Sequence, residues 1–90
     1  MQDLQLDNSL IVEFCNVKDA KLELVKVLAS VINTRYKTQK EAATALGIDQ
    51  PKVSQINRLK IDGFSLQYLI SLLTVLRYKI NIRIKSNFEI

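Results

Sequence analysis

The sequence predicts a mainly α fold: a bundle of four to five helices with a C-terminal β-strand. Three observations carry this. Apolar residues recur at helical spacing through most of the chain. Residue types that start and stop helices stand at the ends of those runs. Residues 79–85 instead alternate strictly between isoleucine and polar side chains, the pattern of a half-buried strand. Ninety residues make one domain with a modest core. The expected division is an N-terminal segment at 1–16 with a short strand, a helical domain at 17–78, and a strand and tail at 79–90.

Taken in order, the polar, acidic residues 1–9 read as a loose start. Residues 10–14 (LIVEF) read either as a short strand or as the first turn of the next helix. The spacing predicts a helix over 18–33, with Leu22, Val25, Leu28, Ala29 and Ile32 on one face. Leu24, Val27 and Val31 form a second stripe. Two apolar sides require two neighbours: the domain's own core, and either a partner chain or the rest of this one.

A second, short helix is expected over 38–46. Thr38 and Glu41 have capping-box spacing, Ala42, Ala45 and Leu46 face inward, and Gly47 ends the helix in a left-handed backbone. The third helix, 49–60, has Asp49 as its N-cap and Pro51 in its first turn, where a missing N–H costs nothing. Val53 and Ile56 point to the core, with Leu59 or Ile61 one turn on. Asp62-Gly63 is a turn.

Ser65 then caps a fourth helix, 66–76, whose inner face is Leu66, Leu69, Ile70, Leu73 and Leu76. In the final strand, Ile80, Ile82 and Ile84 share one face, and Lys79, Asn81, Arg83 and Lys85 the other. A lone strand cannot satisfy its own backbone. It pairs with residues 10–14, with its copy in a second chain, or with a different protein. Pairing in a dimer is the expectation, with Leu72 and Val75 joining Ile80, Ile82 and Ile84 at the contact.

The net charge is +4, a mild excess, and its distribution says more. Residues 35–60 hold Arg35, Lys37, Lys40, Lys52, Arg58 and Lys60 against Glu41 and Asp49 only, whereas residues 1–34 are net acidic. Such a field suits a polyanion. With no histidine, a zinc finger and a His-dependent catalytic site are excluded. Cys15 is alone, so no intrachain disulfide forms, and a reducing cytoplasm is the expected setting. The start lacks the pattern of a signal peptide, and no apolar run is long enough to span a bilayer. There is no Gly-rich phosphate loop. The expectation is therefore a non-enzyme with no cofactor, no metal and no membrane.

The informative segment is 39–58. The series Gln39-x₃-Ala43-x₃-Gly47-x₅-Val53-Ser54 meets in order what a helix-turn-helix needs: a small residue at the crossing, a reversing glycine, and an apolar lock on the second helix. The runs Thr38–Ala43, Leu46-Gly47-Ile48 and Gln50–Ile56 resemble the Xre/Cro helix-turn-helix family, with its lambda-repressor-like fold. The following 60–66 and the closing strand resemble small single-domain regulators that include HigA-like antitoxins.

The resemblance implies that the third helix enters the major groove. Gln50, Lys52, Ser54 and Gln55 would read bases. Gln39, Lys40, Asn57, Arg58 and Lys60 would hold phosphates. Gln suits adenine and Lys suits guanine, while Pro51 removes one side-chain reader. Arg35 and Lys37 complement a helix dipole. Arg83 and Lys85 read as solubility devices on an edge. Tyr36, Tyr68 and Tyr78 read as packing residues with wet hydroxyls.

The expected function is a sequence-specific regulator of double-stranded DNA, homodimeric on palindromic sites. The alternative is an antitoxin that neutralises a small ribonuclease-type toxin protein and represses its own operon. Either would work in a cytoplasm of bacterial or phage type, associated with the nucleoid.

Overall fold

The computed structural model of the chain describes residues 9–14 and 16–84. The loose start expected over residues 1–8, Cys15 and the end from Lys85 onward lie outside the described residues. The order is β1 (Ser9–Phe14), α1 (Val17–Arg35), α2 (Gln39–Leu46), α3 (Gln50–Asn57), α4 (Leu66–Val75) and β2 (Lys79–Ile84).

Each helix starts on a side chain that accepts from a backbone N–H of the first turn. Asn16 does this for α1, Thr38 for α2, Asp49 for α3 and Ser65 for α4. Around Thr38 the capping box is only half as expected. Thr38 Oγ1 accepts from the Glu41 N–H at 3.0 Å, but the Glu41 carboxylate accepts from the N–H of Lys37, at 2.9 Å, rather than from that of Thr38.

The core lies where α1 meets α3 and α4, with α2 closing on α3. Leu24, Leu28, Ile56, Leu69, Leu73, Val25 and Val53 are its largest fully enclosed side chains. Each such aliphatic contributes roughly 1.5–3 kcal/mol of transfer free energy. Both stripes of α1 are used within the chain: Leu24 and Val31 are buried along with Val25, Leu28, Ala29 and Ile32. The second neighbour of α1 is therefore the rest of this chain. Leu22 and Val27 are half-buried.

Several inward assignments shift. In α2, Ala43 is buried beside Ala42 and Leu46, while Ala45 is exposed. The short helix packs along i, i+1 and i+4, and Ala45 falls on the far side of that set. After α3, Leu59 is 41% exposed and the half-buried Ile61 packs on the core instead. In α4, Leu72 is buried to 3% beside Leu69, Leu73 and Leu76, while Leu66 and Ile70 are half-buried. Leu72, expected at a dimer contact, thus finds its cover within its own chain. Val75 remains 53% exposed.

Residues 9–14 form a strand rather than a helical turn, and they pair with β2. The two strands run parallel, with Leu10 opposite Ile80, Val12 opposite Ile82 and Phe14 opposite Ile84. Of the three partners expected for β2, the segment 9–14 of the same chain is the one that lies along it. A parallel pair needs a long crossover, and here the four helices supply it. Lys79, Asn81 and Arg83 are exposed and Ile80 is half-buried.

Candidate nucleic-acid interface

The site is built from α2, its turn and α3. Gly47, Ile48 and Asp49 join the two helices. Gly47 adopts φ +74°, and its N–H donates back to the carbonyls of Ala43 (2.9 Å) and Thr44 (3.3 Å). The N–H of Ile48 also donates to the Ala43 carbonyl, at 3.0 Å. This left-handed closure satisfies the carbonyls of Ala43 and Thr44 in the last turn of α2 while turning the chain. Two residues later Asp49 opens α3, its Oδ1 accepting from the Lys52 N–H at 3.0 Å.

The orientation of α3 follows from two residues. Val53 and Ile56 are 0% exposed, so the body lies on their side. Helical spacing then places Pro51, Ser54, Gln55 and Arg58 in one column on the opposite side, at i, i+3, i+4 and i+7. Pro51 and Arg58 are exposed, and Ser54 and Gln55 are half-buried. Gln50, at the first position of α3, is exposed. Gln39 and Lys40 are exposed on the first turn of α2, and Lys60 is exposed just past α3.

Two candidates sit differently. The Lys52 ammonium lies 3.1 Å from Asp49 Oδ2, which draws it to the flank of α3. The Lys52 N–H and ammonium together hold the Asp49 carboxyl below its ordinary pKa, the backbone bond contributing most. Asn57 is half-buried, and its Oδ1 is buried with no hydrogen-bond donor. Its amide therefore leans toward the body rather than standing free in the column.

Arg35 does more than complement a dipole. Its Nη1 donates to the Leu76 carbonyl at 3.3 Å, and the guanidinium lies 5.8 Å from the centre of the Tyr78 ring. It fastens the end of α1 to the segment that leads into β2. No local sequence signal links positions so far apart. The Asp49–Lys52 pair, by contrast, is visible in the i, i+3 spacing. The ring of Tyr68 stacks on that of Phe64, 5.7 Å between centres, as a packing residue would.

Among the described residues no group of three or more His, Cys, Asp or Glu could hold a metal ion, and no helix is long and apolar enough to cross a membrane. Two short helices, joined by a three-residue turn that Gly47 opens in the left-handed conformation, define a helix-turn-helix protein. The helix-turn-helix domain family matches residues 2–85, nearly the whole chain, and the protein belongs to it. Among curated proteins and among solved structures, nothing matches the chain. The match begins well before α1, so it takes in the segment that forms β1. The helix-turn-helix is a motif that docks on DNA.

Proposed function

We propose that the protein is a sequence-specific transcriptional regulator of the Xre/Cro type, binding double-stranded DNA as a homodimer on palindromic sites. The observation that carries this reading is the column Pro51, Ser54, Gln55 and Arg58, turned away from the core on a helix held by Val53 and Ile56. The N-terminal half of α3 lies in the major groove and α2 crosses the backbone. Gln50, Ser54 and Gln55 read base edges, with Lys52 at the rim, where it exchanges Asp49 for a base or phosphate. Gln39, Lys40, Arg58 and Lys60 hold phosphates, and Asn57 adds a contact through its amide N–H₂.

One domain offers few base contacts, so two half-sites about 34 Å apart, or a multiple of that, supply useful affinity. The two copies meet through Val75 and the strand carrying Ile80, Ile82 and Ile84, with Leu72 supporting that face from the core. The second reading draws on the same ribbon. An open strand edge also suits a foreign partner, as in a HigA-like antitoxin that holds a small toxin.

The test is binding at a stated salt concentration. Gln55→Ala should lower the preference for the selected sequence by about 1–3 kcal/mol. Arg58→Ala should weaken every sequence alike and reduce the salt slope by about 1. Equal effects of both changes on all sequences, or duplexes that fail to compete at low ionic strength, would overturn the reading.

A further inference from the structure

We propose that Pro51 reads the 5-methyl group of thymine, so that each half-site carries a thymine facing the first turn of α3. This inference rests on the DNA-binding reading above. Pro51 is the second residue of α3, in its first turn. It is exposed, opposite the fully buried Val53 and Ile56, and it heads the column that continues through Ser54, Gln55 and Arg58. The other three members of that column are polar. Pro51 alone offers neither a side-chain donor or acceptor nor a backbone N–H.

What such a residue can recognise is narrow. Among the groups that distinguish base pairs on the major-groove edges, the thymine methyl is the bulky apolar one; cytosine has only a small C5–H there, and the rest are hydrogen-bond donors or acceptors. A pyrrolidine ring set against an adenine N6–H₂ or a guanine O6 would strip water from it and return no bond. Set against the methyl, it buries apolar surface on both sides. The ring is also fixed in φ, so contact immobilises no flexible side chain. The neighbouring cation does not share the position, because Lys52 leaves α3 about 100° round the helix from Pro51.

Deoxyuridine supplies the test, because it lacks the methyl and keeps the hydrogen-bonding edge. The preferred duplex is selected from a random pool, and each thymine is then replaced singly by deoxyuridine. We expect one position per half-site at which replacement weakens binding by about 4-fold, the value of one buried methyl-sized group. Pro51→Ser, checked for native helical content by circular dichroism, should bind the thymine and deoxyuridine duplexes equally at that position. If the wild-type chain binds every deoxyuridine duplex as tightly as its parent, the inference falls without any variant being needed. It falls equally if Pro51→Ser keeps the penalty. Specific binding that ignores the methyl sinks this inference alone, whereas absence of duplex binding sinks the wider reading with it.

Discussion

At Gly47 the backbone conformation, not the available space, sets which residue is tolerated. A Cβ built there would meet no heavy atom within 4 Å, but φ is +74°. Gly47→Ala should therefore cost about 1–2 kcal/mol from the left-handed backbone alone, and Gly47→Asn less, read from urea unfolding. An alanine variant as stable as the parent would show that the turn can relax.

The same conformation is carried without glycine at Leu59 (φ 58°) and Arg77 (φ 71°). Arg77 is exposed and closes the end of α4, its N–H donating to the Thr74 carbonyl at 2.9 Å. Arg77→Gly should raise stability by about 0.5–1 kcal/mol, the strain relieved less the added freedom of the unfolded chain. A lower melting temperature would count against that account.

At the scale of an element, α3 depends on its cap. Asp49 accepts from the Lys52 N–H and pairs with the Lys52 ammonium, and these hydrogen bonds lower its pKa, the backbone bond most. A carboxyl whose folded pKa is depressed contributes stability that is full above its unfolded value. That contribution is lost as pH falls through the folded value. Stability should therefore decline below about pH 4, and Asp49→Asn, which keeps a capping oxygen but no charge, should flatten that decline. An unchanged acid limb would mean the charge contributes nothing there. The change also frees the Lys52 ammonium, so phosphate attraction at the α3 flank should rise in the same variant.

At the scale of the whole molecule, β1 and β2 form a two-stranded parallel sheet beside α1 and α4. Parallel sheets are ordinarily covered on both faces, and two strands alone are marginal. Nearby, α4 carries no charged residue along Leu66–Val75 and exposes Val75. Both features fit completion by a second copy. If so, the melting temperature should rise with protein concentration. Val75→Asp should suppress that rise and shift the sedimenting species toward monomer. A melting temperature constant over about a hundredfold range of concentration would argue for a monomeric fold.

Much of this was legible in the chain itself. Thr38, Asp49 and Ser65 mark helix starts, Gly47 marks the turn, and Val53 with Ile56 fixes which side of α3 is bare. All of these act over three or four residues, where hydrogen bonding and helical spacing decide the outcome locally. The partner of β2 was open to three answers, because strand pairing joins segments separated by the whole helical body and is decided by how those helices bring residues 9–14 alongside. Ala43 rather than Ala45, the inward turn of Leu72 and the clasp of Arg35 on Leu76 and Tyr78 belong to the same class. Each depends on which neighbouring element arrives at that spot, and only packing in three dimensions determines that.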